Sequence, residues 1–173
     1  TILFESLAFW VVAGFISGSL PFSLWVTRGF AKKDVRDFGD QNPGATNAMK
    51  AGGLTVGLLA YFLDISKGAF PVAVVYRLLG WTAWQAVMVA MAVMIGSAFS
   101  PFLKFKGSKS LSVSLGIWIG LTLWEAPVVI LVTLTMAFLI QNRSGWAVVA
   151  AIVATCFYLA VSRAPLPFFV LLG

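Results

Sequence analysis

Long apolar runs alternate with short polar breaks along almost the whole chain. Apolar segments fall at about 2–27, 54–79, 82–103, 111–124, 127–140 and 146–161, and a seventh begins at 166–172. Most approach or exceed the roughly 18 residues that mark a membrane helix. The runs at 111–124 and 127–140 are short for a core about 30 Å thick, so they are expected to extend into their flanks. No strand-like alternation competes with this pattern. The prediction is an all-α, polytopic membrane helix bundle of six to seven transmembrane segments, with residues 1–173 forming a single integral membrane domain.

Two of the runs are interrupted. Gly18-Ser19-Leu20-Pro21-Phe22 breaks the first and Gly96-Ser97-Ala98-Phe99-Ser100-Pro101-Phe102 breaks the third. Their similarity hints at a half-repeat. Irregular backbone at membrane depth is tolerated where it lines a polar cavity, so the breaks point to one. The polar stretches that follow are 28–52 and 104–110. Each is basic and contains glycine, and such loops present backbone N–H groups and cations to an anion.

Composition agrees. The chain is 60% hydrophobic and 10% charged, with mean hydropathy +0.96, more apolar surface than a soluble domain of 173 residues requires. The first segment reads as an anchor rather than a cleavable signal, because it carries Glu5 and lacks a basic leader. Cys156 is the single cysteine, so no internal disulfide forms. The absence of histidine removes imidazole as base, zinc ligand or haem ligand. No metal, cofactor or nucleic-acid partner is expected.

Orientation follows from the cations. With six crossings, Arg28, Lys32, Lys33, Arg36, Lys50, Lys104, Lys106, Lys109 and Arg143 share one side, and only Arg77 and Arg163 take the other. The rich side is cytoplasmic and the N-terminus is outside. The net charge of +6 is thus mostly a cytoplasmic belt suited to anionic lipid. Trp25, Trp81, Trp84, Trp124 and Trp146 near segment ends read as interfacial anchors.

Chemistry concentrates in few residues. Asp64 and Lys67 lie three apart inside an apolar run, where they either pair with each other or wall an anion pocket. Asn42, Gly44, Thr46 and Asn47 suit either an anion nest or a loop capping its own helix through Thr46 or Asn47. Lys109, between Ser108 and Ser110, is a candidate phosphate grip, although no Walker loop is present. Glu125 and Arg143 fall at opposite membrane faces and are not expected to pair. Asp64, Lys67 and the broken helices alone would also suit a small transporter or channel.

The order of motifs resembles a known family. Gly18-Ser19-Leu20-Pro21-Phe22 is followed by Asp34-Val35-Arg36, Gly39 and Asn42-Pro43-Gly44-Ala45-Thr46-Asn47. Then come Leu63-Asp64 with Lys67-Gly68, and Pro101-Phe102 with Phe105-Lys106-Gly107 and Lys109. Over roughly 14–120 this is similar to the acyl-phosphate-dependent glycerol-3-phosphate acyltransferases of bacterial membranes. The resemblance implies a seven-helix bundle in the inner membrane with its site at the cytoplasmic face. It also implies transfer of an acyl group from acyl phosphate to glycerol 3-phosphate, giving lysophosphatidic acid for phospholipid synthesis without metal or carrier protein. It places phosphate contacts at Asn42, Gly44, Thr46, Asn47, Lys67, Gly107 and Lys109.

The departures are specific. Asp40 stands where the family has a functional serine, Lys50 where it has an arginine, and Ser97 where it has a histidine. Ser108 and Ser110 replace glycines of the phosphate loop, and the C-terminal His-x-Glu-Asn motif has no counterpart. Asp40 is expected to repel a phosphate, Lys50 to lose the bidentate fork, and the serine Cβ atoms to crowd the loop. The expectation is a catalytically degenerate member serving as a structural or lipid-contacting subunit of a larger membrane complex. The alternative is an active acyltransferase. Cysteines introduced at Gly29 and Ser108 are expected to label from the cytoplasmic side; labelling of either from outside only would reverse the assigned orientation.

Overall fold

The computed structural model describes residues 6–140, 144–162 and 164–172; Glu5, Arg143, Arg163 and the side chain of Trp146 lie outside the described residues. These residues form helices α1 (Leu7–Ser19), α2 (Phe22–Val26), α3 (Ala45–Gly52), α4 (Leu54–Ala73), α5 (Ala83–Ala98), α6 (Leu111–Thr122), α7 (Glu125–Ile140) and α8 (Ser144–Val161). Wide π-turns extend α2 through Thr27–Ala31 and α4 through Val74–Leu78. No strand occurs among the described residues. The stretches Leu7–Ala31, Leu54–Leu78 and Ala83–Leu103 are long and apolar enough to cross a membrane.

The bundle is organised by two close helix pairs, α1 with α5 and α4 with α6. Both are built on glycine. Gly14, Gly18 and Gly96 lie in the first crossing, where a Cβ at Gly18 would overlap the Val93 carbonyl and one at Gly96 the Phe15 carbonyl. Gly68, Gly116 and Gly120 do the same in the second, against Val113, Ile65 and Ala69. Gly14/Gly18 and Gly116/Gly120 are each four apart, the small-residue spacing that lets membrane helices approach closely. Between the pairs sits the apolar core, with Val72, Val89, Val93, Val113 and Ile117 almost fully buried.

Each break in a helix exposes carbonyls, and each is answered by a side chain. Pro21 separates α1 from α2, and the freed carbonyl of Leu20 accepts from Lys67 Nζ at 2.8 Å. Ser19 O accepts from the Ser100 hydroxyl, so the two broken motifs predicted from sequence lie against one another. Pro71 inside α4 has no N–H for the carbonyl of Lys67. The Ser17 hydroxyl supplies the missing donor at 2.9 Å. At the other end of the bundle, Arg77 donates to Gly120 O (2.9 Å) and Leu121 O (2.7 Å), closing the C-terminus of α6.

Several expectations need correction. The helix at 111–124 does not grow into its N-terminal flank, because Ser110 is left-handed at φ 58° and stops the helix there. The run 166–172 starts as a 3-10 turn, Leu166–Leu171, not an α-helix. It turns Phe168 inward against Tyr76 and Trp118, with ring centroids 5.5 and 6.4 Å away. Trp25, Trp84 and Trp124 are exposed as anchors should be, whereas Trp10 and Trp118 are buried. Glu125 accepts from the Tyr158 hydroxyl at 2.6 Å, joining α7 to α8.

The loop after α2 is held by Asp34, which pairs with Arg28 (2.6 Å) and Arg36 (2.8 Å). The Arg36 hydrogen bond, then its backbone N–H and Arg28, hold the Asp34 carboxyl far below the usual carboxylate range, against the effect of burial.

Two predictions follow from this packing. Gly18→Ala should cost about 1–3 kcal/mol through forced separation of α1 and α5, while Gly29→Ala, with open space around it, should leave thermal unfolding in detergent unchanged. A depressed carboxyl stabilises above its unfolded value and loses that contribution as pH falls through the folded one. Asp34→Asn should therefore destabilise by no more than about 1 kcal/mol, since both arginines are half-exposed. The gap should stay constant from pH 8 to about 5 and narrow only below about 4.

Candidate functional site

The first loop reaches the site through a tight path. Gly39 is left-handed (φ 59°), and a Cβ there would overlap Asn47 Oδ1 and meet the Lys50 ammonium at 2.9 Å. Glycine at 39 thus lets the loop fold back onto α3. The Ser23 hydroxyl donates to Pro43 O at 2.8 Å and pins the turn to α2. Gly44, extended, is the N-cap of α3, and no side chain caps that end. Neither Thr46 nor Asn47 is the cap. Asn47 is buried, and its Nδ2 donates to Asp40 Oδ1 (2.7 Å) and Asn42 O (2.9 Å). Thr46 is exposed.

The second loop docks on the end of α5. Gly107 N–H donates to Ala98 O (3.1 Å) and Ser108 N–H to Ser97 O (3.0 Å). A Cβ at Gly107 would overlap both carbonyls, so glycine is required for this approach. The Ser97 and Ser108 hydroxyls meet at 3.0 Å. Lys109 N–H donates to Asn42 Oδ1 (3.0 Å) and Ser110 N–H to Ser108 Oγ (3.2 Å). The backbone donors of 107–110 are therefore engaged within the protein, contrary to the expectation that this loop offers free N–H groups. Ser110 is left-handed with a Cβ, the crowding foreseen from sequence, whereas Ser108 is not.

The two loops, whose cations the sequence placed on one side of the bundle, meet. Lys109 Nζ lies 2.7 Å from Asp40 Oδ2, and Asn42 bridges to the Lys109 backbone. The Lys109 hydrogen bond, followed by those from Asn47 and the Asn42 N–H, holds the Asp40 carboxyl far below the usual carboxylate range. Asp40 is thus charged but neutralised, so repulsion of an incoming anion is much smaller than a bare carboxylate would exert. Lys50 makes no ion pair among the described residues.

Below the meeting point lies a cavity of about 800 Å³. Its polar end is formed by Asp40, Asn42, Gly44, Thr46, Asn47, Lys50, Lys109 and the first turn of α6. The N-termini of α3 and α6 both open there, adding partial positive charge to the two ammonium groups. The rest of its lining is mainly apolar, with Leu115, Trp118, Ile130, Leu134 and Ala151 from α6, α7 and α8, joined by Thr155 and by Tyr61 and Asp64 of α4. One anionic head and one alkyl chain would fit such a space.

Two of the expected contact positions, Lys67 and Gly107, lie outside the cavity lining, as does Ser97, which stands where the family has a histidine. Lys67 is buried, with its ammonium 2.8 Å from Asp64 Oδ1 and bonded to Leu20 O. Of the two sequence readings for this pair, the mutual ion pair is the observed one, and Asp64 rather than Lys67 touches the cavity. The apolar wall was not foreseen. Its one legible signal is the Gly116/Gly120 spacing that seats α6 on α4.

Comparison with known proteins bears on the family and the fold. The family model for glycerol-3-phosphate acyltransferase matches residues 8–173. A glycerol-3-phosphate acyltransferase of Bordetella pertussis is 34% identical over 155 residues, covering 89% of this chain and 72% of the relative. One from Leptospira borgpetersenii serovar Hardjo-bovis is 41% identical over 117 residues, 66% of this chain and 53% of the relative, so the match spans about half of that protein. The solved structure of PlsY (YgiH), an integral membrane glycerol 3-phosphate acyltransferase in its glycerol 3-phosphate form, superposes with a TM-score of 0.81 at 25% identity. It covers 96% of this chain and 82% of that one. The chain is an integral membrane protein that belongs to the glycerol-3-phosphate acyltransferase family.

Proposed function

We propose that this protein is an active acyltransferase of the bacterial inner membrane, crossing it several times and moving an acyl group from acyl phosphate to glycerol 3-phosphate. The observation that carries this reading is the mixed lining of the cavity: two ammonium groups and two helix N-termini on the one hand, aliphatic side chains of α6, α7 and α8 on the other. The head of each substrate is a phosphate, and only one of them carries a chain. Lys50 and Lys109 would hold the phosphates, with Asn42, Asn47, Gly44 and Thr46 around them, and the apolar lining would seat the acyl tail.

In the reaction, the glycerol hydroxyl oxygen bonds to the acyl carbon and the bond from that carbon to the phosphate oxygen breaks. The phosphate leaves with the electron pair and accepts the hydroxyl proton, so atoms and charge balance without an imidazole. The polar end would orient the two reactants and neutralise the phosphate that leaves. Lysophosphatidic acid, the product, would leave sideways into lipid.

A degenerate subunit of a larger complex is the weaker reading. It rested on Asp40, Lys50, Ser97, Ser108 and Ser110 together and on the missing C-terminal motif; the largest expected penalty, repulsion by Asp40, is reduced because Asp40 is paired with Lys109. The relatives compared above carry the acyltransferase description.

The test is acyl transfer by the full-length protein, purified in detergent, from an acyl phosphate to radiolabelled glycerol 3-phosphate. Product formation is expected, together with rescue of a bacterium lacking its own acyltransferase. Lys109→Met should lower kcat/KM about ten- to a hundredfold, the range for losing a charged hydrogen bond of about 1.5–3 kcal/mol. A folded protein without product would return the degenerate reading to first place.

A further inference from the structure

We propose that Asp40 is a built-in competitor for the phosphate site, occupying the ammonium of Lys109 and the amide of Asn47 until a phosphate monoester displaces it. The inference rests on the acyltransferase reading only for the identity of that monoester.

The geometry is direct. One carboxylate oxygen of Asp40 lies 2.7 Å from Lys109 Nζ and the other accepts from Asn47 Nδ2 at 2.7 Å and from the Asn42 N–H at 3.4 Å. A carboxylate that takes an ammonium, a side-chain amide and a loop N–H satisfies the same donors that a phosphate oxygen seeks. These donors line the polar end of the cavity, beside the uncapped start of α3. Asp40 therefore sits among the donors that a substrate head would use, held there by the left-handed turn at Gly39.

The polar end holds two cations, Lys50 and Lys109, and one anion, Asp40; the Asp64 charge is matched by Lys67 directly behind it. A phosphate dianion that found Lys109 still bound to Asp40 would meet a net charge of only plus one. Transfer of Lys109 from carboxylate to phosphate, with Asp40 swinging toward water, restores both cations to the ligand. The pair can exchange in this way because both side chains are open, at 66% and 51% exposure. A buried pair such as Asp64–Lys67, at 7% and 6%, could not.

This contact also changes the meaning of a serine-to-aspartate difference at this position. Asp40 weakens phosphate affinity but keeps Lys109 and the two loops assembled while the site is empty. The cost to binding is bounded by the small worth of an exposed ion pair, so the effect is a modest rise in Kd rather than loss of activity.

The experiment measures binding of inorganic phosphate and of glycerol 3-phosphate, each without acyl donor, by calorimetry on the full-length protein in detergent. Asp40→Asn keeps the shape and removes the charge; Asp40→Ser removes both. Both variants are expected to bind both ligands about three- to tenfold more tightly than the natural protein. The advantage should shrink between 0.05 and 1 M NaCl, because exposed charges are screened. In turnover, the KM for glycerol 3-phosphate should fall by a similar factor with kcat within about twofold, and Asp40→Glu should stay close to the natural protein. Unchanged or weaker binding in Asp40→Asn, with thermal unfolding intact, would overturn the proposal. So would a fall in kcat at constant KM, which would make Asp40 a brace for the loop. If the natural protein transfers no acyl group yet Asp40→Asn tightens phosphate binding, the competitor stands and the acyltransferase reading falls.

Discussion

The ammonium of Lys67 is the contact on which the site depends. It lies inside the bundle, where an unpaired charge is prohibitive and an unsatisfied carbonyl costs several kcal/mol. Lys67 settles both problems at once. Its Nζ bonds the carbonyl that the Pro21 break leaves open at Leu20, and pairs with Asp64 one turn away. The carbonyl of the same residue, stripped of its helical partner by Pro71, is taken by Ser17. One residue thus ties the broken first span to α4. The pair adds little stability over an apolar substitute, yet losing either partner alone would leave a buried charge and cost about 3–5 kcal/mol.

With α1 and α4 tied, the remaining geometry follows from close packing. α5 lies on α1 and α6 lies on α4 through glycine contacts that admit no Cβ. The end of α5 then sits where Gly107 and Ser108 can bond its last carbonyls, which fixes the start of α6. The turn of α2 sits where Ser23 can hold Pro43, which fixes the start of α3. Two helix N-termini therefore open onto one space, and the ammonium groups of Lys50, on α3, and Lys109, in the second loop, reach it from separate segments. α7 and α8 add apolar lining to the same cavity through Ile130, Leu134 and Ala151.

Some features need only local chemistry and were legible in the chain itself. Apolar runs longer than a membrane's thickness dictate helices, because backbone groups in lipid must bond within their own segment. Proline and glycine dictate where those helices break. The Leu63–Gly68 spacing puts Asp64 and Lys67 on one face, and the ordered motifs point to the family. Two loops placed on the same side of the bundle could be expected to meet.

Tertiary structure decided what depends on partners distant in sequence. Asp40 reads as a repulsive charge in isolation; beside Lys109, 69 residues away, it is neutralised. Lys67 reads as a phosphate contact but faces Leu20, 47 residues away, outside the cavity. The second loop reads as a set of free donors, yet α5 takes two of its N–H groups and Asn42 a third. In each case the residue types were plain from the sequence. What they bond to is set by which helix packs against which, and that follows from small residues at the crossings rather than from the polar motifs themselves.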